Sequence, residues 1–466
     1  MTYNLCPINA MLNFIKEKFT SFYKADKHIA PLAVLRIAFG GIMFVSVVRF
    51  LLKGWVAAFY IEPKFHFTFY GFDWIKPLGA TGMYVLFALL LITSIMVTIG
   101  LFYRAAITAF FLCFTYVELI DKTTYLNHYY LISVFSFLMI WVPANRYFSV
   151  DVWRKPGLAV AYVPAWAINI FKLQLLLVYF FAGVSKLNYD WLIAAMPLRI
   201  WLPASSHLPL IGGLVTHLWV AYAFSWFGAL FDLFIGFLLL NAKTRKPAYG
   251  LVIIFHLFTA WFFKIGMFPY IMIMVTIVFF SEKTHIKIID FLRKIFSLAN
   301  IHPSKKTTDS VYKTIAPKLI FVVLILHFII QILLPFRYLL YPGKLYWTEE
   351  GYRFSWRVML MEKGGTAFFY VKDPQTGKRD EIINSQYLTA FQESQMSTQP
   401  DMILQFAHIL AQEYQKKGIK NPVVTAQSYV TLNGSGSRLY IDTTVNLANE
   451  HDTFGHKKWI LPFNEN

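Results

Sequence analysis

Nine apolar stretches with almost no charge run at approximately 30–52, 81–103, 105–120, 128–144, 164–186, 211–241, 247–263, 265–281 and 315–340. A helix of about 17–25 such residues crosses the hydrocarbon core of a bilayer. The chain is therefore expected to be mainly α, a polytopic helical membrane bundle of about nine spans. The third and fourth stretches are short enough to tilt or re-enter, and the sixth is long enough to tilt strongly. Composition agrees, with 57% hydrophobic and 15% charged residues in 466, far from the balance of a soluble domain.

The net charge of +18 invites a nucleic-acid partner, but the basic residues fall in alternate loops, the mark of membrane orientation. With the tail 1–29 (Lys16, Lys18, Lys24, Lys27) in the cytoplasm, Arg104, Arg146, Arg154, Lys155, Lys243, Arg245, Lys246 and the run from Lys283 to Lys318 lie on that side too. The opposite loops hold chiefly Lys53, Lys64, Lys76, Lys122, Lys186, Arg199 and Lys264. An odd number of spans then leaves the carboxy-terminal part outside. The organisation expected is a cytoplasmic tail over 1–29, a membrane domain over 30–341 and a small α+β extracytoplasmic domain over 342–466. In that last domain, Ile403, Phe406, Ala407 and Leu410 mark one face of a helix over Pro400–Lys417, and Asn433-Gly434-Ser435-Gly436 joins a hairpin of Val423–Leu432 and Ser437–Ile441. Residues 282–314 form a basic cytoplasmic connection with an interfacial helix at Ile286–Leu298. The first thirty residues have no signal-peptide core, so the first span is expected to direct insertion. Cys6 and Cys113 form no CxxC and are not expected to pair.

Ionisable residues at membrane depth are costly and mark function by default. Here they are Arg36, Glu118, Asp121, His128, Lys172, Lys186, Asp232, His256 and His327. In Val178–Trp191, VYFFAGVSKLNYDW, Lys186 ends an apolar helix. Such a lysine either snorkels to the interface or sits in a pocket as a neutral amine; spacing alone favours snorkelling. Asp232 is expected to neutralise Arg36 or Lys172 and lock helices together. DKTTYLNH (Asp121–His128) reads as a solvated loop ending in an Asn-His turn. The histidines lack metal-ligand spacing, and there is neither a phosphate-cradling glycine loop nor a GxSxG elbow.

Four blocks occur in order: DKTTYLNHYYL, VYFFAGVSKLNYDW, FH followed by KIGMFPYIM, and YRFSWRVML, with LAVLRIAFG and VPANRYFSVD in agreement. Together, from about Leu32 to about residue 440, they resemble the vitamin K-dependent gamma-glutamyl carboxylase family. The resemblance implies that a lysine base deprotonates reduced vitamin K and that O2 adds to the ring. The strong base so formed removes a γ-proton from glutamate, and CO2 captures the carbanion. By that resemblance Lys186 is the base, Asn127 and His128 position the hydroquinone and support its oxyanion, and His256 and Asp232 contact the cofactor. Tyr352, Trp356 and Arg357 handle the glutamate substrate.

The cofactor implied is phylloquinol or menaquinol, with O2 and CO2 as co-substrates and no metal. The partners implied are a glutamate-containing polypeptide, membrane lipid and a quinone reductase, with no nucleic acid. The expected location is a bacterial inner membrane, with the amino terminus cytoplasmic and the carboxy-terminal domain periplasmic. Ser185 stands where the animal enzymes carry a second lysine, their disulfide is not reproduced, and part of their outer domain is expected to be missing. Two other readings stay open because a fold does not fix a function: a quinol oxygenase with a different acceptor or none, and a non-catalytic quinone- or lipid-binding protein.

Overall fold

The computed structural model describes residues 23, 25–209, 211–263, 265–296 and 310–464. Most of the expected cytoplasmic tail, Lys264 and the end of the interfacial helix at 297–298 lie outside them. Each apolar stretch contains a helix. These are α1 (Ala30–Leu52), α2 (Gly79–Ile99), α3 (Tyr103–Ile120), α4 (Asn127–Trp141), α5 (Trp166–Ser185), α6 (Leu218–Leu240), α7 (Arg245–Phe262), α8 (Phe268–Thr276) and, after the basic helix α9 (Glu282–Ile295), α10 (Pro317–Leu333). Among the described residues six helices are long and apolar enough to cross a membrane: α1, α2, α3, α5, α6 and α10 with its 3-10 extension to Leu340. Of the nine expected spans, α4, α7 and α8 are not among them.

The sixth and eighth stretches also differ in where they become helical. The sixth becomes α-helical only at Leu218, because the pair Gly212-Gly213 breaks its first part into turns and a short 3-10 helix over Leu214–Thr216. The eighth gives one short apolar helix ending at Phe279, too short to cross a bilayer alone.

The α5–α6 crossing sets the geometry of the bundle's core. A Cβ on Gly183 would stand 2.5 Å from the Leu233 nitrogen and 2.7 Å from its Cα, and one on Gly236 would stand 2.7 Å from the Leu176 side chain. Without those carbons the two backbones touch, as small residues allow in membrane bundles. Polar side chains near the crossing can therefore meet.

The carboxy-terminal segment folds as expected around an antiparallel sheet ordered β2-β1-β3-β4: β1 Lys363–Lys372, β2 Arg379–Glu381, β3 Val423–Leu432 and β4 Arg438–Leu439. Alternation places Ala367, Phe369 and Val371 of β1 and Val424, Ala426 and Val430 of β3 inward. They meet α11 (Pro400–Lys416), whose Phe406 ring lies 4.7 Å from that of Phe369 at 82°. This core also takes in Phe67, Trp191 and Leu198 from the bundle's connections and Val220 from the start of α6, while Trp356 packs into the bundle's own core. The two parts interlock.

A buried charge cluster fastens this seam. Asp401 on α11 binds Lys122 from the α3–α4 turn at 2.7 Å and Arg353 at 2.7 Å. Burial raises the Asp401 carboxyl, but Arg353 and then Lys122 outweigh it and hold the group well below the usual carboxylate range. A depressed folded-state value contributes stability above the unfolded value of about 3.9, and that stability is lost as pH falls below it. Asp401→Asn should therefore lower thermal stability at pH 7 by about 3 kcal/mol, since it strands the buried Lys122 and the half-buried Arg353. The gap to the unmodified protein should narrow below about pH 4. Unfolding curves in detergent from pH 7 to pH 3 check this, and a constant gap would contradict it.

Candidate functional site

The end of α5 builds the first part of the site. Lys186 closes the helix, its N–H bonded to the Gly183 carbonyl at 3.0 Å. Asn188 holds the following turn, donating to the Ser185 carbonyl at 2.9 Å and accepting from the Trp191 N–H at 3.0 Å. The Trp191 indole donates to the Ser225 carbonyl of α6 at 2.8 Å, pinning the turn. The Lys186 side chain runs back along its helix instead of outward. Its Nζ lies 2.7 Å from Asp232 Oδ2 and 3.3 Å from the Ala182 carbonyl, with the Trp191 ring 5.1 Å away.

Lys186 is 5% exposed and Asp232 7%, so the snorkelling reading fails. The expected partners of Asp232 are also corrected. Arg36 is bonded instead to the Phe148 carbonyl, and Asp232 pairs with Lys186 because Gly183 lets α6 approach there. His256 on α7 lines the same cavity, its Nε2 3.1 Å from the Tyr179 hydroxyl and its Nδ1 buried without a hydrogen-bond partner. This cavity is small, about 80 Å³.

The second part grows from DKTTYLNH, which is not the solvated loop expected. Asp121, Lys122 and Thr123 are buried, and Asn127 and His128 open α4. Asp121 accepts from the Thr123 N–H at 2.9 Å, from its hydroxyl at 2.7 Å and from Gln392 at 3.2 Å. Burial nevertheless pushes its carboxyl up to about 6. Tyr125 donates to Asn127 Oδ1 at 3.2 Å and accepts from the Phe354 N–H at 2.7 Å; Asn127 Nδ2 donates to the Arg357 carbonyl at 2.7 Å. These bonds join the turn to the segment Tyr352–Arg357. Trp356 is buried there, its ring stacked on Tyr130 at 4.7 Å.

Asn127, His128, Tyr352 and Arg357 line a cavity of about 500 Å³ with Phe50, Trp55, Phe59 and Tyr129. Lys186, Asp232 and His256 do not line it. The two cavities share Ile265, Phe268, Val358 and Met359 as a common wall. The Phe268 ring stands 5.9 Å from His128 on one side and 5.7 Å from His256 on the other. The structure thus brings the sequence-derived residues to two faces of one partition centred on Phe268, except Trp356, which lines neither cavity. Phe268 had no polar signal in the sequence, and Arg49, which also lines the larger cavity, sits where a helix end routinely carries a cation. A third cavity of about 570 Å³ adjoins the other flank of the α5 end, lined by Ser185, Asn188, Tyr346 and Arg357. Among the described residues no group of three His, Cys, Asp or Glu side chains is placed to hold a metal ion.

The fold is that of a helical integral-membrane protein whose carboxy-terminal sheet domain seals one end of the bundle. Residues 24–283 match the HTTM domain, and residues 316–466 match the vitamin K-dependent gamma-carboxylase lumenal domain. The first match covers more than half of the chain, and the chain belongs to the vitamin K-dependent gamma-carboxylase family. No solved structure matches it.

Proposed function

We propose that this membrane protein oxygenates a reduced naphthoquinone, phylloquinol or menaquinol, with O2 and couples that reaction to carboxylation of glutamate side chains by CO2. One observation carries the reading: a lysine–carboxylate pair buried at the end of α5, across Phe268 from an Asn-His pair. The larger cavity fits the quinol. Its volume of about 500 Å³ and its walls of Phe50, Trp55, Phe59 and Phe268 suit a flat bicyclic ring, whereas the 80 Å³ beside Lys186 does not. When bound, the quinol supplies electrons to O2 and the strong base required at glutamate Cγ.

Lys186 is the group assigned to take the ring hydroxyl's proton. An ammonium has no lone pair, so the proton held against Asp232 must move onto the carboxylate or leave first. The two residues act as one base unit. Access to the larger cavity requires Phe268 and its neighbours in the partition to shift. Asn127 spends one amide N–H on the Arg357 carbonyl; its second N–H and the His128 ring donate toward a developing oxyanion. His256 and Asp232 face the ring's other side. Tyr352 and Arg357 receive the glutamate, and Trp356 fixes their segment against Tyr130. Aromatic walls and the domain above them keep water from a strongly basic site. The distribution of basic residues supports a cytoplasmic amino terminus and an extracytoplasmic sheet domain, and the membrane proposed is a bacterial inner membrane. A quinone reductase would regenerate the quinol.

The test is purified protein with quinol, O2, labelled CO2 and a Glu peptide. Quinone epoxide together with labelled peptide is the expected result. Epoxide without label removes the carboxylation half, and neither product overturns the proposal. His128→Ala should lower kcat by about a hundredfold or more while changing the quinol Kd much less. Equal losses in both would reduce His128 to a packing role.

A further inference from the structure

Two arginines, Arg49 and Arg357, line the 500 Å³ cavity and, among the described residues, no carboxylate does. Arg357 is 7% exposed, its Nε buried without a hydrogen-bond partner. Its guanidinium is held by walls of the neighbouring 570 Å³ cavity, the Tyr338 ring 4.4 Å away, the Pro335 carbonyl at 3.4 Å and the Tyr346 hydroxyl, while its backbone carbonyl meets Asn127 at the 500 Å³ cavity. Arg49 is half-buried in the last turn of α1. The Trp55 ring covers one face of its guanidinium at 4.7 Å. Its Nη1 lies 3.9 Å from where a Cβ on Gly266 would stand, and Gly266 lines the cavity. The edge of the fork therefore reaches the cavity wall. Among the described residues neither arginine forms an ion pair with a carboxylate.

A cation at the wall of an aromatic cavity without a counter-charge favours an anionic guest, because weak solvation strengthens its field. The planar fork of arginine matches a carboxylate in two-point geometry. Phe391 and Gln395 of the carboxy-terminal domain close the same cavity, so it lies at the seam between that domain and the bundle, where a polypeptide can enter. We propose that Arg49 is a specificity-determining residue that holds the γ-carboxylate of an acidic side chain beside Asn127 and His128. This rests on the reading that a glutamate-containing polypeptide is the acceptor. A cation there also steadies the charge that builds on the carboxylate as the Cγ proton leaves.

The test is binding of a fluorescent Glu peptide, and of its Gln counterpart, to the full-length protein in detergent with quinol present. Quinol Kd is measured in parallel. Arg49→Gln should weaken Glu-peptide binding by about tenfold or more and abolish the preference over the Gln peptide, while Arg49→Lys should recover part of it. A melting temperature close to that of the unmodified protein shows that Arg49→Gln remains folded. Undiminished Glu-peptide binding by Arg49→Gln overturns the inference. So does a loss that falls equally on quinol, which would assign the anionic oxygen to the ring. If the unmodified protein forms neither epoxide nor labelled peptide yet discriminates Glu from Gln through Arg49, the proposed reaction fails and the carboxylate site stands.

Discussion

Lys186→Ala is expected to lower epoxide formation by about a thousandfold or more, the range lost when a proton-transfer group is removed. A small primary amine in the medium should restore part of it. The substitution opens space at the end of α5 against Trp191 and Val178, beside the Asp232 carboxylate. An added ammonium can enter that space, pair with Asp232 and stand where Nζ stood. Rates measured against amine concentration decide the matter. Turnover at the unmodified rate without amine would contradict the role of Lys186, and full loss without rescue by any small amine would weaken it.

The second large effect is on stability. Lys186 and Asp232 meet at 2.7 Å with side chains only 6% and 9% exposed. Removing one partner leaves the other charge buried and unpaired, at a cost of about 3–5 kcal/mol. Lys186→Met and Asp232→Leu should each lower the unfolding temperature markedly. The double variant, with apolar groups on both sides, should recover most of that loss and remain inactive. Additive losses in the double variant would mean that the two side chains are not coupled, and the base unit would dissolve with them.

Local chemistry carries far in this chain. The span over Ala30–Leu52, the helix of Pro400–Lys416 and the hairpin around Asn433-Gly434 follow from apolar runs, period and turn residues, and all appear where expected. What depends on how helices cross does not. The sequence matches Asp232 to Arg36 or Lys172, and its pairing with Lys186 is decided by the missing Cβ of Gly183. DKTTYLNH reads as a polar loop because nothing within it announces that Asp401, Gln392 and Phe354 will satisfy its polar groups. Residues quoted for the family's chemistry were legible one by one. Their division between two cavities was not, because Phe268 is an ordinary aromatic residue in an apolar helix until His128 and His256 are placed on either side of it.

The most direct test of the central claim is the position of the ring hydroxyl in a structure with quinol bound. The account predicts that the hydroxyl lies about 3 Å from Lys186 Nζ, within proton-transfer reach, with the Phe268 ring moved from between the two histidines. A quinol seated against His128 with Phe268 unmoved and its hydroxyls out of reach of Nζ would contradict it.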